Sequence, residues 1–295
     1  MTSSPIEVST NSDKDLRKSP SRVILSIVFT LIFVFQAILT VGPLIAALFS
    51  SFRPGRLLMR YGLNFSISFD ECNLNNYLEL FNSGSEYFRW FWNSFVLTAV
   101  SVILMLFFCY FIAYGLSMYN FRGRNFLFFL VLATMMVPFE ILMLPLYREI
   151  IKMKLINTMA GVILPGICSS STIFFFRQYL IGMPKELLDA GRIDGCTEFG
   201  ISVRIMMPIA KPAFASMAIL CTMGAWNNVL WPMLVFRDAS KFTLPIGLNT
   251  LLTPYGNNYD LLIAGSMFSI LPLFVVFLCF QRYLIEGVTA GAVKG

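Results

Sequence analysis

Six apolar blocks separated by polar intervals set the pattern of the chain. They run from Val23 to about Ser51, Phe91 to Met118, Phe126 to Leu146, Met159 to Leu180, Ala213 to Phe236 and Leu261 to Phe280. Each approaches or exceeds the roughly 20 residues that an α-helix needs to cross a bilayer. The pattern therefore predicts an all-α membrane protein with six transmembrane helices. The first block is far longer than the roughly 7 to 15 apolar residues of a signal-peptide core, so it reads as a retained span. Ahead of it, residues 1–21 are polar, rich in Ser and Thr, and carry Lys14, Arg17 and Lys18. Such a segment buries too little apolar surface to fold alone and is expected to be a disordered cytoplasmic tail. Residues 22–295 then form the transmembrane domain, and residues 52 to about 90, with Arg53, Pro54, Asp70, Glu71 and Asn73, are expected to be an exterior loop.

Composition agrees with a lipid environment. Of the 295 residues 57% are hydrophobic and only 13% charged, against about a quarter charged in soluble domains. The net charge of +6 comes from Lys and Arg that occur singly between apolar blocks. Basic runs with interleaved aromatics, the footprint of a nucleic-acid binder, are missing. The charge reads instead as topology. With the N-terminus inside, more than half of the 22 basic residues fall on the inner side, and the short loop Asn120–Asn125 is cleanly basic through Arg122 and Arg124. Six spans place both termini in the cytoplasm of a multi-pass plasma-membrane protein. The chain has no histidine, which removes imidazole catalysis and imidazole metal ligation. Its six cysteines form no CxxC pair, so neither a disulfide framework nor a metal site follows.

Trp90, Trp92, Trp226 and Trp231 fall at or near the outer ends of the expected spans, where indole rings suit the headgroup layer. That belt reading covers Trp90 and Trp92 best. Pro138 and Pro145 in the third span, Pro165 in the fourth and Pro272 in the sixth each remove a backbone donor and predict kinked helices.

One inner interval, residues 181–212 between spans four and five, differs from an ordinary loop. It contains Met183-Pro-Lys-Glu-Leu-Leu-Asp-Ala-Gly-Arg-Ile-Asp-Gly-Cys-Thr-Glu-Phe-Gly and runs on to Met207-Pro208 and Lys211-Pro212. Pro184 suits a first helical position and Glu186 the first turn, while Asp194-Gly195 is a turn pair that should end the helix. Thr197 with Glu198 can start a second helix, which Pro208 should kink or end. Ala190, Gly191 and Gly195 are small enough to let another protein's backbone approach. The same spacing also suits an amphipathic helix lying on the membrane surface.

Asp189-Ala190-Gly191, Arg192-Ile193, Asp194-Gly195 and the closing Met207-Pro208 resemble the EAA loop of ABC importer permeases, with Asp and Gly in place of the usual Glu and second Ala. Asn93-Ser94, Thr134-Met-Met-Val-Pro138, Leu144-Pro145-Leu146-Tyr147, Leu155-Ile-Asn-Thr158, Trp226-Asn227 and the tail Thr289-Ala-Gly-Ala-Val-Lys-Gly295 are similar to the MalG-like carbohydrate-uptake branch. The resemblance implies that the loop is a coupling helix seated on a separate ATP-binding subunit. Glu186, Asp189, Ala190, Gly191, Asp194 and Gly195 then contact the ATPase, and Lys294 and Gly295 reach it from the tail. It further implies a homologous second permease, two ATP-binding subunits that hold ATP and Mg, an extracellular substrate-binding protein and a sugar substrate. The chain itself lacks a GxxxxGK[ST] phosphate loop.

Within the spans, Glu140 is a carboxylate whose burial in lipid is costly unless it faces water or protein, and it is read as a pathway or helix-contact residue. Trp226, Asn227 and Asn228 offer an aromatic face and amides of the kind sugar rings and hydroxyls suit, although interhelical hydrogen bonding explains the same residues. An ion-gradient-driven secondary transporter is the alternative, but it calls for inverted repeats and charged relays, and only Glu140 fits. A membrane-embedded enzyme would need paired carboxylates, metal ligands or an activated nucleophile, and no catalytic residue is expected.

Overall fold

The computed structural model describes residues 20–62, 72–82, 86–253 and 256–292. Residues 1–19 of the expected tail lie outside the described residues, and so do Lys294 and Gly295. Helix α1 (Pro20–Ser51) opens on a proline, whose missing N–H is no loss at a helix start. It is followed by the short helices α2 (Gly55–Tyr61) and α3 (Asn75–Leu80), so the expected exterior loop is partly helical. Asn76 on α3 explains why this segment folds back. Its amide donates to the carbonyls of Ser51 at 3.0 Å and Arg53 at 2.8 Å, groups that the end of α1 leaves without intrahelical donors.

Helix α4 (Tyr87–Met118) spans 32 residues, about 48 Å at 1.5 Å per residue, and is the axis of the fold. Beyond the left-handed Gly123 (φ +91°), helix α5 (Arg124–Met135) stops after 12 residues, and α6 (Phe139–Lys152) leaves at 102° to it. The expected continuous span Phe126–Leu146 is thus replaced by a half-helix and a sharp turn. Pro138 is the cause: it bars Val137 from the helical region and cannot donate to the preceding turn. Similar breaks divide the next two apolar blocks. Helix α7 (Met159–Ile163), with a following 3-10 turn through Gly166, meets α8 (Ser170–Ile181) at 45° across the break at residues 167–169, just after Pro165. Helices α9 (Glu186–Ile193), α10 (Glu198–Gly200) and α11 (Met207–Ile209), with a π-helical segment Ile201–Met206 between the last two, lead to α12 (Lys211–Trp226). The run Glu198–Ile209 meets α12 at 77°. The expected fifth span Ala213–Phe236 is divided, because α12 ends at Trp226 and a separate α13 (Leu230–Val235) follows.

Helix α14 (Leu244–Thr250) and a two-residue β-ladder, Leu252–Thr253 with Gly256–Asn257, precede the last long helix α15 (Tyr259–Ala292). Among the described residues, α1, α4 and α15 are long and apolar enough to cross a membrane alone, and counting each bent pair as one span gives up to six.

Helix α4 packs against α8, α12 and α14, and α12 packs against α15. One core cluster gathers Tyr110, Phe176 and Phe214, with ring centroids 4.8 to 5.9 Å apart. A second joins Leu97, Ile163 and Trp231, and a third joins Tyr87, Trp90, Trp226 and Leu244. The belt expectation for Trp90 is corrected here. Trp90 is buried, its indole donates to the Ala239 carbonyl at 3.1 Å, and its ring lies so close to Gly247 that an added Cβ there would sit 2.1 Å from it. Trp92, two positions along, is 55% exposed and fits the belt. Residues two apart on a helix face nearly opposite sides, which the apolar pattern alone does not distinguish.

Candidate functional site

The interval 181–212 folds as a helix, a tight turn and a second helical run. Glu186 and Asp189 lie in the first turn of α9 and Arg192 in its last, a distribution that complements the helix dipole. The helix begins at Glu186 behind Lys185, so Pro184 precedes it rather than occupying its first position. Its end is a Schellman closure: Gly195 N–H donates to the Arg192 carbonyl at 3.1 Å and Cys196 N–H to that of Gly191 at 2.9 Å. Gly195 takes φ +75°, the left-handed conformation that glycine adopts without a Cβ penalty. Thr197 then caps the second run by accepting from Gly200 N–H at 3.1 Å.

A four-residue chain of polar contacts ties the two arms together. Arg192 reaches Asp189 at 3.1 Å within its own helix and Glu198 at 2.7 Å across the turn. Glu198 in turn accepts from the Tyr119 hydroxyl at 2.6 Å, just beyond the end of α4. The Arg192 hydrogen bond, then that of Tyr119, holds the Glu198 carboxyl below its ordinary value. Burial, followed by the carboxylate, raises Tyr119 and keeps its hydroxyl a donor. The Phe199 ring stacks on Phe111 of α4 at 5.6 Å.

Of the residues singled out in this interval, Glu186, Asp189, Ala190, Asp194 and Gly195 are exposed on the outer side of the α9 turn. Gly191 is not. It is buried, and a Cβ there would meet Ile201 Cγ1 and Ile205 Cδ1 at 2.9 Å. Its smallness lets α9 lie on the π-helical segment of its own chain, which corrects the expectation that it leaves room for another protein. Ile193, which the sequence pattern does not mark, projects from the tip with 86% of its surface exposed beside Asp194. A branched apolar side chain so placed, between the charged Arg192 and Asp194, is the signal that could have found it.

A second feature is a cavity of about 510 Å³ between α4, α5, α7, α8 and α12, lined in part by Ser101, Ser169, Ser171, Thr172 and Asn228. Ser169 and Ser171 are 3.0 Å apart at the start of α8, where Ser169 also caps the helix. The structure separates the four expected pathway residues. Asn228 faces the cavity. Asn227 is turned back to donate to the Met223 carbonyl of its own helix at 3.0 Å, and Trp226 is buried against Phe91 at 5.7 Å. Glu140 lies past the break, in the first turn of α6, exposed and not in the cavity lining.

A family model for the binding-protein-dependent transport system inner membrane component matches residues 105–289. The chain is 51% identical over 280 residues to an arabinooligosaccharide transport system permease of Bacillus subtilis, covering 95% of this chain and all of that protein. A permease of the same description from Halalkalibacterium halodurans is 50% identical over 94% of this chain and its own full length. A lactose transport system permease of Rhizobium radiobacter is 33% identical over 69% of this chain and 74% of its own. Among solved structures, a bacterial ABC transporter involved in import of the acidic polysaccharide alginate superposes with a TM-score of 0.78. It is 22% identical, covers 90% of this chain and 98% of its own, and establishes the fold alone. The family model and the relatives together place the chain in the family of binding-protein-dependent inner-membrane components, the permease subunits of ABC importers, within its carbohydrate-uptake branch.

Proposed function

We propose that this chain is the permease subunit of an ATP-driven importer that moves an oligosaccharide, of the arabino-oligosaccharide class, delivered by an extracellular binding protein. The substrate class is supported by the match to the Bacillus subtilis permease over that protein's full length. The observation that carries the coupling role is the projecting α9 turn. Its outer face presents Glu186, Asp189, Ala190, Ile193, Asp194 and Gly195, while its inner face is locked to the rest of the chain through Gly191 and Arg192. A rigid knob of this kind suits a cleft of a separate ATPase that binds ATP and Mg. Motion of the cleft then reaches the spans as a rigid-body displacement of α9, and alternating access follows. A homologous second permease completes the pathway, and both chain ends face the cytoplasm. In this reading Lys294 and Gly295 at the tail are second contacts for the ATPase.

The cavity beside Asn228 is proposed as the part of the pathway that this chain contributes. Hydroxyls of Ser101, Ser169, Ser171 and Thr172 and the Asn228 amide supply polar groups on a mostly apolar wall, the mixture that a sugar's hydroxyls and ring faces require.

The test is co-purification from the native membrane followed by an ATPase assay, comparing the wild type with an Asp194→Arg, Gly195→Trp double variant. The reading expects an ATP-binding subunit to accompany the wild type and to be lost from the variant. Absence of any associated ATPase from the wild type would remove the importer reading and favour an ion-gradient assay in proteoliposomes.

A further inference from the structure

The segment on which α9 lies is π-helical, and a side chain from the C-terminal third of α4 holds it. Between Glu198 and Ile209 the chain is helical throughout, yet Ile201–Met206 takes the wider π form. Pro208 gives the reason. Inside a helix its ring collides with the carbonyl four residues back, here that of Arg204, and it offers no N–H to that turn. Widening the preceding turn relieves both problems, and single π turns of this sort concentrate at functional sites. The wider turn also leaves the Ser202 carbonyl open to a second donor. It accepts Met207 N–H within the helix and, at 3.0 Å, the hydroxyl of Tyr110. The Ser202 hydroxyl returns a longer contact to the Tyr110 oxygen at 3.3 Å.

Tyr110 has no exposed surface and sits among Phe111, Phe176 and Phe214, so the π turn supplies its hydroxyl with partners inside an otherwise aromatic cluster. On the other side of the same segment, Gly191 brings α9 down onto Ile201 and Ile205. The π turn is therefore gripped between the α9 knob and the axis of the fold. A turn of this sort can in general take a π or an α form, which differ by one residue of register, and such an element is the kind through which displacement can be passed between sites.

We propose that Tyr110 is a positioning residue for coupling: its hydroxyl holds Ile201–Met206 in the π form, so that displacement of α9 is delivered to α4 rather than absorbed by slippage of the turn. This rests on the coupling reading of α9 given above.

The experiment uses the complete importer, reconstituted in proteoliposomes with its ATPase, partner permease and binding protein. It compares the wild type with Tyr110→Phe and Ser202→Ala, reading sugar moved per ATP hydrolysed, retention of the ATPase on purification, and hydrogen exchange across residues 201–209. Tyr110→Phe is expected to retain the ATPase and its hydrolysis while sugar moved per ATP falls about fivefold, the scale of one lost neutral hydrogen bond. Exchange at Met207 N–H, which shares the Ser202 carbonyl, is expected to rise. Ser202→Ala keeps that carbonyl and is expected to behave as wild type. An unchanged ratio in Tyr110→Phe overturns the proposal, as does a parallel loss of hydrolysis and transport with unchanged exchange at 201–209. Failure of the wild type itself to hold an ATPase overturns the coupling reading as well, and the two failures are separated by which protein shows them.

Discussion

Arg192 Nε stands 2.7 Å from Glu198 Oε1 and so closes the turn between α9 and α10. Both side chains are largely solvated, so the pair is a weak source of stability. Its role is geometric, because Glu198 also receives Tyr119 from the end of α4. Arg192→Ala is expected to leave the thermal midpoint of the purified permease unchanged while lowering ATP-coupled sugar uptake severalfold. Scanning fluorimetry beside an uptake assay separates the two.

The pH dependence of this contact follows from its sign. The lowered Glu198 value means that the folded chain binds that proton less readily than the unfolded chain. The stabilisation is therefore present above the ordinary value of 4.5 and is lost as pH falls through the depressed one. Retention of the ATPase is expected to stay constant between about pH 8 and 5 as far as this contact sets it, with the same profile in Glu198→Gln. A fall in wild-type retention between those limits that Glu198→Gln abolishes would contradict this.

Ile193 is expected to be an anchor of the ATPase contact. Ile193→Ala removes apolar surface that the chain itself does not bury, so folding is unaffected, while a central interface anchor costs about 2 kcal/mol or more on truncation. Titration of the purified ATP-binding subunit against permease in nanodiscs should show at least about a thirtyfold loss of affinity at an unchanged thermal midpoint.

Two glycines of the same loop are expected to respond differently. At Gly195 nothing lies near an added Cβ, so Gly195→Ala carries only the left-handed backbone penalty of about 1 kcal/mol, and Gly195→Asn carries less. At Gly191 a larger side chain meets Ile201 and Ile205, and Gly191→Leu should cost about 1 to 3 kcal/mol and displace α9. Thermal midpoints of the three variants, with ATPase retention as a second readout, check the order.

Asn227 and Asn228 separate in the same manner. Asn228→Ala is expected to raise the KM for sugar uptake severalfold, because the side chain lines the cavity. Asn227→Ala should leave KM alone, since that amide is spent on the Met223 carbonyl. Equal KM values in both variants would remove the cavity from the pathway.

Much of this was legible from the residues. Apolar runs long enough to cross a bilayer announced α1, α4 and α15, and Asp194-Gly195 and Thr197 announced the stop and restart around the turn. What stayed hidden depends on contacts distant in sequence. Pro138 signalled a kink, but an angle of 102° is set by what α6 packs on after the break. Gly191 looked like a surface position until Ile201 and Ile205 closed over it. Trp90 and Trp92 carry the same side chain, and only the fold-back of residues 239–247 decides which is buried. The π turn left no local signal except Pro208, because its second partner, Tyr110, is 92 residues away.

Helix α1 offers a last consequence. Its 28-residue apolar stretch has none of its most hydrophobic window buried within the chain and, among the long helices, touches α15. Within the chain, tertiary packing therefore contributes little to that window, and lipid is the surrounding its apolar surface suits. Insertion and folding are separable stages for membrane helices, and α1 belongs to the first. It can commit the chain's orientation as it leaves the ribosome while the helices that form the core are still unmade. Unfolding of that core by detergent should correspondingly leave α1 helical.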